Sequence, residues 1–326
     1  LFYVAATRAK DYLYLTWSNN YGGQLTKKPS RFLVETGLEQ PAGSQKATGD
    51  VVFKKPAALP LPKVSDLPIP DRFSWTSVSA FKKCPLEFKY KYLYQIPWPG
   101  NGYLSFGSSI HKAIQLYSDL IRQTASMKQN DLFGAKRGEI EYPPLKKLHE
   151  FYEKNWIDEW YGSARAQAEF KKRGYRLLEN YYQRLTSQHL VPTETEKSFF
   201  LKIGDYKFTG KIDCIFGNPD GSISIADYKT SKEARTKLQK VDKKQLLIYQ
   251  LAAQEYFAQK VKHLSYWDLE DLTSVIEFLG TPEELQEMRD ELITDIGAII
   301  QTIKTDSFYE EDLLRPSHNC EFRDLE

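Results

Sequence analysis

The sequence predicts an α/β fold, because two segments with strand periodicity lie between segments with helical periodicity. Residues 206–216 and 222–228 carry apolar side chains at strand spacing, and the letters NPDG between them supply turn chemistry, which predicts two paired strands joined by a short loop. Residues 143–188 and 282–305 carry apolar or aromatic side chains at helical intervals, which predicts helices before and after these strands.

The composition indicates a globular protein. The chain has 326 residues, of which 41% are hydrophobic and 14% aromatic, enough for one or two buried cores. Its formal net charge is only +2, so any affinity for nucleic acid must come from local basic patches. Three cysteines are too few for a disulfide scaffold and fit a reducing compartment. There is no apolar run that would span a bilayer and no signal-peptide pattern at the start, so we expect a soluble, intracellular protein.

The first residues predict a short helical segment followed by an alternating strand. Residues 1–10 read LFYVAATRAK, and the string VAATRAK resembles motif VI of UvrD/PcrA-like superfamily 1 helicases. PSRFL at 29–33 resembles the helix that follows this motif. In that family the motif's arginine reaches the γ-phosphate of ATP, a role that the resemblance implies for Arg8. The alternative interpretation is that TRAK at residues 7–10 is simply the polar start of a helix.

The other ATP-binding motifs of such a motor are absent from this sequence. We therefore expect ATPase and helicase activity only in a full-length protein, of which this chain, which begins with Leu1, would be a fragment. Residues 41–70 are rich in Pro, Ala, Lys and Gly, and prolines at this density favour extended chain, which predicts a linker.

Two helices are predicted directly after the linker. Ser77 or Ser79 would cap the first helix, and Pro85 suits the first turn of the second. Lysines alternate with aromatic residues here, and they would either hold phosphates beside stacked bases or form the wet face of an amphipathic helix. These lysines are Lys82, Lys83, Lys89 and Lys91.

A further helix is predicted to open at Gly107, where Ile110, Ile114 and Tyr117 follow helical spacing. His111 lies beside this apolar stripe, and a lone histidine there is more often a core or surface residue than a ligand. The segment 143–188 then predicts two long helices whose aromatic residues pack between helices. A role in stacking on DNA bases stays open for one of the four aromatics Trp156, Trp160, Tyr175 and Tyr181.

The predicted strand pair carries the chemistry. Asp213 lies late in the first strand, while Asp227 and Lys229 share one face of the second and Tyr228 points to the other. Crowded carboxylates are stable as anions only with a cation between them, and oxygen ligands suit Mg²⁺ or Mn²⁺. Lys229 would orient an attacking water and offset charge on a phosphate. A bare D-x-K triplet, however, is more often a surface ion pair.

Three strings taken together extend this interpretation. GKID at 210–213, DYK at 227–229 and QLLIY at 245–249 resemble, in this order, the RecB-type branch of the PD-(D/E)XK nuclease superfamily. The resemblance implies a restriction-endonuclease-like α/β fold with a mixed central sheet flanked by helices. It implies a centre in which Asp213, Asp227, the Tyr228 carbonyl and His111 hold one or two Mg²⁺ or Mn²⁺ ions, with Lys229 at the nucleophile and Gln245 and Tyr249 lining the site.

The same resemblance assigns a glutamate ahead of the first core strand, and Glu196 fits better than Glu194. Glu196 would support the metal site, or would simply be an exposed acid at a strand start. The residues between the second strand and the next helix are strongly basic, which is typical of a solvated loop but also places phosphate-binding groups beside the centre. They are Lys232, Arg235, Lys237, Lys240, Lys243 and Lys244.

The end of the chain departs from the family. Many RecB-like nucleases hold an iron–sulfur cluster through one early and three late cysteines, whereas here only Cys84 and Cys320 match, with Ser317 and Glu326 at the other positions. Two thiolates do not hold a cubane cluster, so no iron–sulfur cluster is expected. Zinc bound by the two cysteines and His318 is a weaker alternative, because structural zinc takes four ligands.

We therefore divide the chain into the end of a helicase motor (1–40), a linker (41–70) and a RecB-like nuclease domain (71–326). The expected function is metal-dependent hydrolysis of DNA as the C-terminal module of a helicase–nuclease in DNA repair or recombination, in the cytoplasm with the nucleoid. Expected partners are single-stranded DNA, the rest of the motor in the same polypeptide and a second helicase–nuclease subunit. No interaction with a membrane is expected. The alternatives are a catalytically silent DNA-binding module and a regulatory module of a helicase complex.

Overall fold

The structure, a computed structural model, describes residues 67–96, 100–129, 141–230, 243–271 and 275–309. Several sequence-based predictions lie outside these residues. They concern the helicase-like start with Arg8, most of the linker, Cys320 and four of the basic residues, Lys232, Arg235, Lys237 and Lys240.

A mixed sheet of five strands in the order β1-β2-β3-β4-β5 forms the centre of the described part. The strands are β1 Pro192–Ile203, β2 Tyr206–Gly217, β3 Ile223–Lys229, β4 Val261–Asp268 and β5 Val275–Phe278. β1, β2 and β3 pair antiparallel, β3 and β4 pair parallel, and β5 returns antiparallel. The strand pair β2–β3 and the mixed sheet predicted from the sequence are thereby confirmed.

Helices cover both faces of this sheet. They are α1 Trp75–Lys83, α2 Pro85–Phe88, α3 Gly102–Gln129, α4 Leu145–Lys154, α5 Ala164–Ser187, α6 Lys244–Glu255 and α7 Pro282–Thr305, with a π-helical turn at Lys89–Leu93 and a 3-10 turn at Ser307–Tyr309. Because side chains alternate along a strand, each face has its own core. Ile225 and Leu264 pack toward α1, α6 and α7, whereas Tyr228 and Trp267 pack toward α3, α4 and α5.

Two helix starts differ from the sequence-based prediction. Ser74, not Ser77 or Ser79, caps α1, and Ser77 closes the capping box from inside the helix. α3 begins at Gly102 rather than Gly107, because the Asn101 side chain accepts the Leu104 N–H at 2.9 Å and so caps an earlier turn. Within the described ranges no helix is both long and apolar enough to cross a membrane.

Candidate active site

Strands β2 and β3 separate at the two aspartates. Their regular pairing runs from Gly217 opposite Ile223 to Cys214 opposite Ala226. Asp213 and Asp227 are the next residues on the two strands, so both carboxylates lie where the ladder stops. The Tyr228 backbone N–H donates to Asp213 Oδ2 at 3.1 Å. A carboxylate thus takes a hydrogen bond that a strand carbonyl would otherwise accept.

Three side chains from three elements meet on the α3 side of this opening. His111 Nδ1 lies 3.4 Å from Glu196 Oε1 and 3.7 Å from Asp213 Oδ2. The ligand atoms of the three residues all lie within 4.8 Å of one another. One imidazole nitrogen and two carboxylate oxygens at this spacing fit a divalent cation.

Glu196 occupies an uncommon backbone conformation. Thr195 pairs with Cys214 and Lys197 pairs with Ile212, so Glu196 lies opposite Asp213. Its φ is 51°, in the left-handed region that residues other than glycine rarely adopt, and such strain is most often found at functional positions. In this conformation the Glu196 carboxylate reaches His111, while β1 continues on both sides of the residue.

The group is strongly coupled electrostatically. Burial acts to lower the pKa of His111, but the hydrogen bond to Glu196 and the charges of Asp213 and Asp227 outweigh it and raise this pKa to about 9. Burial and the neighbouring Asp227 charge raise the pKa of Asp213. The hydrogen bond to His111 lowers the pKa of Glu196. Without a metal ion, the imidazolium is therefore the cation that these carboxylates share.

A second chain of contacts lies on the α6 side. Lys229 Nζ lies 2.6 Å from Asp227 Oδ2 and donates to Gln245 Oε1 at 3.2 Å. The Gln245 amide donates to the Tyr249 hydroxyl at 2.8 Å, as expected for residues four apart on one helix face. Burial, followed by the charges of Asp227 and Asp213, raises the pKa of Tyr249 well above its ordinary value. Tyr249 therefore remains a neutral hydroxyl that orients Gln245, which in turn orients Lys229.

The expected metal ligands are thus divided between two groups. His111 and Asp213 lie together, as predicted, and Glu196 joins them. Asp227 is in direct contact with Lys229, and its charge acts on both His111 and Asp213. The Tyr228 ring points away from this chain of contacts, packing against Tyr181 and Trp267, which leaves only its backbone near the centre. The assignment of the ligands stays a prediction.

The basic residues predicted to bind DNA are described only in part. Lys243 lies over the Phe278 ring at 4.9 Å, and Lys244 forms an ion pair with Glu291. The lysines of α1 and of the π-helical turn also have acidic partners: Lys82 with Glu291 and Asp295, Lys83 and Lys91 with Glu87, and Lys89 with Asp306. This pairing favours the structural interpretation of these lysines over contact with phosphate.

A cleft of about 610 Å³ opens beside the metal-ligand group. Besides His111, Glu196 and Asp213 it is lined by Tyr103, Leu104, Gly107, Ser108, Lys112, Gln115, Lys211 and Thr230. Sequence reasoning missed most of these residues, although two signals were available. Lys211 lies two residues before Asp213 and so shares its strand face, and Gly107 and Leu104 lie one and two helical turns before His111.

The chain is similar to one protein family and to several solved structures. The family model described as the PD-(D/E)XK nuclease superfamily matches residues 72–325. A search of curated proteins gives no match. Among solved structures, the chain is similar to a candidate exonuclease from Eubacterium rectale, with 12% identity, a TM-score of 0.41 and coverage of 72% of this chain and 82% of that one. It is also similar to the protein SSO0001, with 14% identity, a TM-score of 0.30 and coverage of 72% and 80%.

Proposed function

The chain belongs to the PD-(D/E)XK nuclease superfamily, whose members are metal-dependent hydrolases that act on DNA, and on this premise we propose that it is a Mg²⁺- or Mn²⁺-dependent deoxyribonuclease. The observation that carries the proposal is the meeting of His111, Glu196 and Asp213 within 4.8 Å beside the Asp227–Lys229 pair. A fold that only bound DNA would gain nothing from bringing the Asp213 and Asp227 carboxylates together, because the repulsion between them destabilises the fold.

His111, Glu196, Asp213 and Asp227 are the residues that would hold the ion. Bound there, a divalent ion supplies positive charge opposite the phosphate oxygens as negative charge develops on them. The raised pKa of Asp213 fits such a site, because a carboxylate that is costly to ionise without a cation is stabilised when a cation binds beside it.

Lys229 is placed to act on the attacking water. Its side chain is 34% exposed and its ammonium is held by Asp227 on one side and Gln245 on the other, so a remaining N–H is available to orient a water beside the phosphate. The water oxygen forms a bond to phosphorus, and the bond from phosphorus to the leaving oxygen breaks. The leaving oxygen gains a proton as the water loses one, so the reaction balances as hydrolysis.

The biological setting is a finer proposal. The helicase-like string at the start, with Arg8, supports a helicase–nuclease that acts in DNA repair or recombination in the cytoplasm with the nucleoid, together with a second subunit. In that setting the motor would deliver single-stranded DNA to the nuclease domain. The substrate strand, the metal and these partners are each open to direct measurement.

The test is cleavage of end-labelled single- and double-stranded DNA with Mg²⁺ or Mn²⁺, beside an EDTA control and the Lys229→Ala variant. We expect metal-dependent cleavage by the parent and a large loss in the variant, since removing one electrostatic group at such a centre costs about 100- to 1,000-fold in rate. The ladder of products separates cutting from an end from cutting within the strand. A parent chain that binds DNA but cuts with neither metal would instead support the silent DNA-binding module.

A further inference from the structure

Three large apolar side chains stand out of the surface at the start of α3. Tyr103 and Leu104 in its first turn are 66% and 65% exposed, and Trp160 in the loop before α5 is 53% exposed. The sequence predicted packing between helices for Trp160, and the structure shows that this is wrong. Exposed aromatic residues grouped in this way commonly mark an interaction surface.

The two rings are held in place by their surroundings. The Tyr103 ring meets Phe170 edge to face, with 5.1 Å between centroids and 87° between planes. Trp160 has a φ of 70°, in the strained left-handed region. Its ring lies directly on Gly100, where an added Cβ would be only 2.7 Å from the indole. Rigid rings lose little entropy when they bind a flat partner.

This surface continues into the candidate active site. Tyr103 and Leu104 line the same cleft as His111, Glu196 and Asp213. Tyr103 precedes His111 by eight residues of the same helix, a separation of about 12 Å along the axis. A strand that reached from Tyr103 to His111 would therefore pass along this cleft.

The cleft also carries positive charge beside the apolar rings. Lys112 and Lys211 line it. The Lys112 ammonium donates to the neutral amide of Gln115 at 2.9 Å, and Lys211 is exposed on the same strand face as Asp213. Both lysines line the cleft together with Glu196 and Asp213, which places them close to the centre. Cations beside exposed aromatic rings are the combination that binds single-stranded nucleic acid without sequence preference.

We propose that Tyr103 and Trp160 form a base-stacking platform for single-stranded DNA, with Lys112 and Lys211 contacting the phosphates between the platform and the metal centre. The inference rests on the proposed nuclease function and adds the surface that would bind an unpaired strand, without preference for its sequence. In a duplex the base faces are already stacked on one another, so they are not accessible for stacking on Tyr103 and Trp160.

The test is the affinity of the Asp227→Asn chain for fluorescent single-stranded and duplex DNA in Mg²⁺, read by anisotropy. We expect Tyr103→Ala and Trp160→Ala each to weaken single-strand binding by roughly tenfold, the size of one lost base–aromatic contact, with little change for duplex. Tyr103→Phe should bind like the parent because it keeps the ring. Tyr256→Ala removes an aromatic that is 49% exposed but does not line the cleft, and it should have no effect.

The lysines give an independent readout. Lys211→Ala should weaken binding similarly for all sequences and should reduce the slope of log affinity against log salt by about 1. Unchanged single-strand affinity in Tyr103→Ala and Trp160→Ala, or an equal loss for duplex, overturns the platform, and a protein partner would then be the better occupant. If the parent still cleaves DNA in that case, the nuclease proposal stands. A parent that neither binds nor cleaves DNA refutes both.

Discussion

Replacing Asp213 by Asn should make the metal-free protein more stable at alkaline pH. Burial and the charge of Asp227 raise the pKa of Asp213 from its ordinary 3.8 to about 7. The folded chain therefore binds this proton more tightly than the unfolded chain does. The stability that this proton provides is present at low pH and is lost as the pH rises from about 4 through about 7.

The size of the effect follows from that shift. A pKa raised by about 3 corresponds to at most ~4 kcal/mol of unfolding free energy, lost once Asp213 is ionised. That shift already includes the opposing attraction to His111, so the Asp213→Asn variant, which carries no charge at this position, should gain up to ~4 kcal/mol at pH 8. For a domain of this size a gain of that order corresponds to roughly 10 °C in melting temperature.

The assay is thermal unfolding of Asp213→Asn and the parent in EDTA, at pH 8 and at pH 5. At pH 5 the parent carries a proton on Asp213, so the difference between the two proteins should become small. Mn²⁺ should raise the melting temperature of the parent far more than that of the variant, because the ion binds the folded site and stabilises it. A variant that is less stable than the parent at pH 8 without metal would refute the reasoning.

Three further outcomes follow from the same site. Protons and metal compete for His111, whose pKa is raised to about 9. The Mn²⁺ affinity measured by calorimetry should therefore increase from pH 6 to pH 9, with protons released on binding. An affinity that does not depend on pH would contradict this competition. Glu196→Gly and Glu196→Gln should both lose cleavage and the pairing with His111, but Glu196→Gly should be the more stable of the two by about 1 kcal/mol, because only glycine relieves the left-handed backbone at φ 51°. Gln245→Ala should lower the cleavage rate by about tenfold or more and leave DNA affinity nearly unchanged. The reason is that this change only frees the Lys229 ammonium from its 3.2 Å contact with Gln245. Equal losses in rate and affinity would argue against a positioning role for Gln245.

Local sequence patterns were sufficient for the β2–β3 strand pair and the closing helix. Alternation in 222–228 correctly placed Asp227 and Lys229 on one face and Tyr228 on the other, because side chains in a strand point to opposite faces. The closing helix was predicted at 282–305 and is observed at Pro282–Thr305, where Pro and a capping box mark the start.

The grouping of side chains from distant segments was harder to predict. Glu196 and His111 are 85 residues apart, and their contact depends on the way α3 packs on β1, which no local pattern encodes. The left-handed conformation of Glu196 likewise reflects the tertiary environment, since glutamate has no intrinsic preference for it. Local patterns also failed for Trp160. The helical spacing around it predicted a buried side chain, but Trp160 lies in the loop between α4 and α5 and is exposed.

We propose that the carboxylates of Glu196, Asp213 and Asp227 form one metal-dependent centre for phosphodiester hydrolysis together with Lys229. The most direct test is the initial rate of cleavage of end-labelled single-stranded DNA as Mn²⁺ is titrated into the metal-free parent and into Asp227→Asn. We predict a rate that is zero in EDTA, rises to saturation with Mn²⁺ in the parent and stays near zero in the variant. Cleavage that persists in EDTA, or that is as fast in Asp227→Asn as in the parent, would contradict the account.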